Sequence, residues 1–267
     1  MKRNGLFLIV ALLSVFCVTS CIEGNNVQEG QAIGVLTYGD GYTPILKSSL
    51  GPVYAPNIIT MLDNGKMKMY GCYIFSYTLD TDLPENSQSV INANGYYTVT
   101  LNAFNELPQY TVDPYLVDTS KVVSDEFAVT SVYEEGSFLE GFLFISQIVE
   151  QPSDLELEWS MSYDYNTMMP SEDLDGRNYY DLFVRASKKN SSDKSLVSMQ
   201  YLNAYKIGNY LQSAASREKA LLGSSYNESS SKLTLRFNYV YSIDKETQNI
   251  TWKTHTIDVL ISSFLDY

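Results

Sequence analysis

LELEWSMSY, Leu155 to Tyr163, alternates without a break. Leu155, Leu157, Trp159, Met161 and Tyr163 fall in one phase, and Glu156, Glu158, Ser160 and Ser162 in the other. A period of two sends the first set to one face of a β-strand and the second to the opposite face. KLTLRFNYVYSI (232–243) has the same form, with Leu233, Leu235, Phe237, Tyr239, Tyr241 and Ile243 on one side. ITWKTHTIDVLI (250–261) reads as a last strand. FLEGFLFISQIV (138–149) is apolar in both phases, as expected of a central strand covered on both faces. Strands spaced by turns, without alternating helices, make the chain all-β and this region a sandwich or barrel. The helical exception lies near 204–222. Ile207, Leu211 and Ala214 share a face there, Ser216 is placed to cap a second set of turns, SREKALL, and Gly223 to end it.

Toward the N-terminus, residues 31–112 form a second β-rich block. Asp40-Gly41, Asn64-Gly65 and Asn94-Gly95 are hairpin-type turn signals. Between them KMKMYGCYIFSYTL (66–79) places Met67, Met69, Tyr73, Phe75, Tyr77 and Leu79 in one phase, a strand with one drier face. About five strands in a block of this length fit a small barrel. Residues 108–125 carry Pro108 and Pro114 and little alternation, and read as a junction. The second unit then spans 122–267. Each block has its own turns and apolar faces, so each is expected to bury its own core.

The start of the chain is of another kind. Lys2 and Arg3 precede the apolar run LFLIVALL (6–13), and small residues lead to Val18-Thr19-Ser20-Cys21. This is the layout of a secretory signal, residues 1–20, ending in a lipobox-like site. Cys21 is expected to carry a lipid as the first residue of the processed chain, and 21–30 to form a tether to the outer membrane, the leaflet left open. Cys17 would leave with the signal, and Cys72 alone cannot form an internal disulfide.

The formal net charge is −13, and cleavage of the signal removes two further cations. Such a chain repels nucleic acid and anionic membrane surfaces, which excludes nucleic-acid partners. Membrane attachment falls to the lipid. The 22 tyrosines suit a half-buried sheet surface and, in part, a stacking platform for sugars.

Chemistry is sparse. His255 is the one histidine, so a multi-histidine metal site is excluded; it reads as a partly buried strand residue near a strand end, in phase with Ile257, Val259 and Ile261. Cys72 lies mid-strand in an acidic chain, a poor setting for a thiolate. Two S-x-x-K matches, Ser191 to Lys194 and Ser229 to Lys232, fall in serine-rich loops instead of on a helix face. The densest carboxylates lie in SEDLDGRNYYD. Asp173, Asp175 and Asp181 form a calcium-loop candidate there, beside Glu172, without the closing glutamate at the usual spacing. No cofactor is implied and the chain is expected to be non-enzymatic.

The lipobox, the tether, AIGVLTYGDGYTPILKSSLGPVYAP (32–56), NGKMKMYGCYIFSYTL (64–79) and LVSMQYLNAYKIGNYL (196–211), in that order, resemble the NigD-like lipoproteins of Bacteroides-type bacteria. The resemblance implies an N-terminal OB-like barrel, a C-terminal β-sandwich with one short helical segment, and a role related to bacteriocin immunity; it carries no catalytic residue. The leading expectation is a monomeric, envelope-anchored binding or interaction module with a protein or glycan partner. A glycan-binding or glycan-processing accessory protein and a structural or fimbrial assembly subunit stand as alternatives.

Overall fold

The computed structural model describes residues 26–135, 138–166, 171–172, 178–244 and 246–264. The first unit is a barrel built from β1 (Val27–Tyr38), β2 (Pro44–Ser48), β3 (Gly51–Tyr54), α1 (Ile58–Asp63), β4 (Cys72–Asp80), α2 (Gln88–Asn94), β5 (Tyr97–Thr98) and β6 (Thr100–Glu106). The strand order is β5-β3-β2-β1-β4-β6. Only Val99 separates β5 from β6, and its amide bonds the Tyr54 carbonyl at 2.8 Å. One continuous segment therefore pairs with β3 at its start and β4 along its length, and the sheet closes on itself. Leu36, Leu46, Val53, Ile58, Met67, Tyr73 and Phe75 fill the interior.

The second unit continues with β7 (Gln109–Thr111), β8 (Glu126–Phe127), β9 (Ser131–Glu134), β10 (Phe142–Pro152), β11 (Leu157–Ser162), β12 (Ser171–Glu172), β13 (Asn178–Lys188), β14 (Leu196–Lys206), α3 (Gly208–Leu222), β15 (Lys232–Ile243) and β16 (Ile250–Leu260). One sheet has the order β7-β14-β10-β9 and the other β11-β13-β15-β16, with β8 and β12 added to β13. Ile145, Val149 and Tyr205 of the first sheet share a core with Trp159, Leu182, Val184, Leu235 and Phe237 of the second, which makes this unit a sandwich. Helix α3 joins that core through Tyr210, Leu211, Ala214 and Ala215.

β10 is central and buried on both faces along most of its length, with Ser146, Gln147 and Gln151 buried among its apolar residues, and Leu157, Trp159 and Met161 are buried in β11. In β15 the alternation holds only to Tyr239. The register shifts between Val240 and Ser242, so Val240 turns inward and Tyr241 faces solvent.

Several expectations are corrected. Asn64-Gly65 and Asn94-Gly95 are not hairpins: they end α1 and α2, with Gly65 at φ +65° and Gly95 at φ +73°. Both structures need a left-handed residue, so the dipeptide does not distinguish them. Lys66 to Gly71 are irregular and β4 begins only at Cys72. Val27–Gly30, expected in the tether, pair with Tyr77–Asp80. The junction contains a strand, since Gln109–Thr111 run parallel to Ala204–Lys206. Helix α3 is continuous through Ser216, whose hydroxyl donates to the Gln212 carbonyl one turn back instead of capping a new helix.

The two units also share an apolar seam. Val35, Cys72, Ile74 and Leu107 on the barrel meet Leu139, Phe142, Phe144 and Ala204 on the sandwich. β1 and β4 are thus covered on both faces, one by the barrel interior and the other by the second unit.

Candidate recognition surface

One end of the barrel gathers exposed tyrosines. The end of β1 carries Tyr38 and the β1–β2 connection Tyr42, 46% and 84% exposed, whose rings meet edge to face at 6.1 Å. Tyr70, 58% exposed, belongs to the same end, because its amide donates to the Leu36 carbonyl at 2.7 Å, two residues before Tyr38. Tyr42 and Tyr70 both hold left-handed backbone, at φ +61° and +62°. For a bulky non-glycine residue that conformation costs about 1–2 kcal/mol. Local bonding holds Tyr70 there: Leu36 also donates to the Gly71 carbonyl, and Gly71 cannot carry a side chain because a Cβ would lie 2.5 Å from the Tyr73 hydroxyl.

Beside Tyr70 opens a cleft of about 490 Å³, lined by Lys68, Met69, Gly71, Glu106, Pro108 and Gln109. Lys68 Nζ and the Glu106 carboxylate pair across it at 3.2 Å. The cleft lies where β6 passes into β7 and so borders both units. It offers an aromatic face, a cation, an anion and an amide, groups that suit recognition of a polar partner.

The residues singled out in the sequence are dispersed. Cys21, Asp173 and Asp175 lie outside the described residues. Asp181 sits on β13, where Arg236 Nε and Nη2 donate to its two oxygens at 2.6 and 2.8 Å and Asn238 Nδ2 donates at 2.7 Å. Its carboxylate ties β13 to β15. His255 lies in mid-strand opposite Phe237, not near a strand end, and its Nε2 is 2.7 Å from Glu134 Oε2. That contact links the edge strands of the two sheets. In the two S-x-x-K matches the partners lie elsewhere: Lys194 pairs with Asp154 at 2.9 Å, and Ser229 donates to Asn227 Oδ1 at 2.7 Å. Among the described residues no three His, Cys, Asp or Glu side chains gather as a metal site, and no helix is long and apolar enough to cross a membrane.

Cys72 is wholly buried in the seam, and burial, reinforced by the Glu106 charge, pushes its thiol up to about 12. At pH 8 about one molecule in ten thousand would carry the thiolate. A maleimide is therefore expected to leave Cys72 unlabelled over hours in the native chain and to label it within minutes in denaturant; rapid native labelling would contradict the buried seam.

Sequence reading missed the tyrosine cluster because Tyr42 follows a turn signal, outside any strand phase, and Tyr70 reads as part of the 66–79 strand although β4 begins only at Cys72. The one available signal was the Asp40-Gly41-Tyr42 turn, which marks a loop but not what gathers beside it.

Residues 24–105 match the family model of the lipoprotein OB domain. No curated protein matches the sequence. Among solved structures, an uncharacterized protein from Parabacteroides merdae is 18% identical over 87% of this chain and 99% of its own, with a TM-score of 0.71. A candidate lipoprotein from Bacteroides fragilis is 11% identical over 86% of this chain and 98% of its own, with a TM-score of 0.55. A NigD-like immunity protein from Bacteroides caccae is 10% identical over 87% of this chain and 97% of its own, with a TM-score of 0.44. For the first two, at such identities, the likeness is one of fold.

Proposed function

We propose that this chain, whose barrel is an OB domain of the lipoprotein family, is an outer-membrane-anchored lipoprotein that acts by binding a partner and not by catalysis. The observation that carries the reading is the pair of exposed tyrosines, Tyr42 and Tyr70, held in left-handed backbone at one end of the barrel beside the Lys68–Glu106 cleft. Strain kept at solvent-facing aromatic positions is hard to explain by stability and easy to explain by presentation of a contact surface. The groups that could have carried chemistry are otherwise engaged: Asp181 by Arg236, His255 by Glu134, and Cys72 by burial.

The test is site-specific photo-crosslinking in intact cells. A photoreactive side chain at Tyr42 or Tyr70 should trap a discrete envelope species, while one at Lys232, exposed on β15, should not. Equal or absent trapping at all three positions would remove the tyrosine end as the contact site. Tyr70→Gly should abolish trapping from position 42 and raise stability by about 1 kcal/mol through relief of left-handed strain. Loss of stability in that variant would mean that Tyr70 serves the fold instead.

A glycan reading draws on the same residues, since exposed rings beside an ion pair can stack on a sugar and bond its hydroxyls. Binding of surface oligosaccharides on a glycan array, lost in Tyr42→Ala, would favour it over a protein partner.

Anchoring rests on Cys21. Cys21→Ser is expected to move the protein from the detergent-extracted membrane fraction to an unprocessed or soluble form, read by fractionation and metabolic labelling with a fatty-acid analogue. Unchanged labelling would end the lipoprotein reading.

A further inference from the structure

We propose that the outer edge of β14, from Leu196 to Gln200, is a docking site for an extended segment of a partner protein that alternates apolar and basic residues. The inference extends the binding role proposed above to a second, separate surface.

Among the described residues the two sheets of the sandwich end on β7, β9, β11 and β16; the last three are guarded, and β7, with three residues, covers only one end of β14. β9 has only four residues and ends in Glu134; β11 carries Glu158; β16 carries Lys253 and Asp258. Short length and charge are the usual protections of a strand edge against another chain. β14 is eleven residues long and on its outer side pairs with β7 only at Ala204–Lys206. The stretch before that, LVSMQYLN, has no charged residue, no proline and no bulge, and it pairs residue by residue with β10 on its inner side. Leu196 and Val197 are 63% and 40% exposed among the described residues.

The direction of the free backbone groups follows from one bond. The Ala204 amide donates to the Pro108 carbonyl, so in that phase the backbone points outward. Alternation then sends the N–H and C=O groups of Ser198 and Gln200 to the open side, while those of Val197 and Met199 point to β10. An added strand would be held by those outward groups, with its side chains read on the two faces.

The faces give the partner its chemistry. Met199 and Tyr201 belong to the face that packs on the sandwich core, so one side of the added strand meets apolar surface. Ser198 lies opposite the exposed Glu150, and Gln200 donates to Ser146, whose hydroxyl donates to Glu135. On that face the exposed carboxylate in reach of a long side chain is Glu150, on β10 one strand in from the open edge, on a chain of net charge −13. Basic side chains at alternate positions complement it.

The test uses the soluble chain from residue 24, a capped seven-residue peptide alternating valine and lysine, the same peptide N-methylated at alternate residues, and a valine–glutamate version. Binding by calorimetry, with hydrogen exchange slowed at the Ser198 and Gln200 amides and unchanged at Val197 and Met199, is expected for the first peptide only. N-methylation should weaken binding by about tenfold or more, because each outward bond lost is uncompensated. Ser198→Pro removes one outward N–H without touching the β10 ladder, so it should keep the fold and lose the peptide. Equal binding of the N-methylated peptide, or full binding by folded Ser198→Pro, would overturn the proposal in favour of charge attraction alone. A chain dimer abolished by Ser198→Pro would overturn it in favour of a second copy. Intact crosslinking at Tyr42 in Ser198→Pro would show that the barrel surface works independently of this edge.

Discussion

Arg185→Ala is expected to destabilise the chain by about 3–5 kcal/mol, because it strands a buried carboxylate. Arg185 lies in β13 and is 5% exposed. Its Nε stands 3.4 Å from Glu126 Oε1, an ion pair in which neither atom finds a hydrogen-bond partner of good geometry. Its Nη1 and Nη2 donate to the carbonyls of Lys121 and Asp118, and its guanidinium lies 5.1 Å from the Trp252 ring. Trp252 in turn donates to the Thr119 carbonyl at 3.1 Å. One side chain thus fastens the 118–126 segment, which has almost no regular structure of its own, to the second sheet. Thermal or urea unfolding reads the effect, and a loss below about 1 kcal/mol would mean that the pair contributes no more than an exposed ion pair.

The same variant has a pH signature. Burial raises the Glu126 pKa even against the Val123 amide and the Arg185 charge, which lower it. A raised folded-state pKa means that the protonated form stabilises the fold; that contribution is fully present below the unfolded pKa and is lost as pH rises through the folded one. Removing Arg185 raises the folded value further and widens that window upward. Arg185→Ala should therefore lose more stability relative to wild type at pH 8 than at pH 5, and a second change, Glu126→Gln, should recover part of the loss at pH 8. A pH-independent deficit would place the cost in lost packing on Trp252 instead.

Sequence periodicity reached the strands but not the contacts between them. The alternation of Leu155–Tyr163 and Leu233–Tyr239 translated into a buried apolar face, broken on the opposite side only where Ser162 and Asn238 are also buried, because a half-buried strand leaves a local record. The bulge at Val240–Ser242 left none, and the phase beyond it was misread at Tyr241. The two Asn-Gly pairs marked positive φ correctly and the element wrongly, since α1 and α2 are only six and seven residues long and show too few turns for a helical period. The tyrosine end of the barrel depends on a bond between Leu36 and Tyr70, residues remote in sequence. Gln109–Thr111 is too short to alternate, and it is a strand only because β14 lies beside it.

Phe144→Ala should cost about 3–5 kcal/mol, the usual range for a buried phenylalanine, and should also change how the chain unfolds. Phe144 is 1% exposed and sits on β10, on the face that meets the barrel through Val35, Cys72 and Ile74. The sequence assigned each block a separate core, and each has one, but the third cluster joins them. While that seam is intact, neither unit can open without exposing the other's apolar surface, so the wild-type chain should melt in one step. The alanine variant leaves a cavity at the seam's centre, and the loss of coupling falls on the weaker partner. That is the barrel, because a small domain buries a smaller share of its surface. Calorimetry of Phe144→Ala should resolve two transitions, the lower one belonging to the barrel and some 10 °C or more below the wild-type melt. Cys72 supplies an independent readout. In the wild type its thiol is held near pKa 12 by burial, and in the variant its labelling by maleimide should accelerate at temperatures between the two transitions. A single transition at the wild-type temperature, with Cys72 still protected, would show that the two units fold without reference to each other and that the seam contributes no coupling.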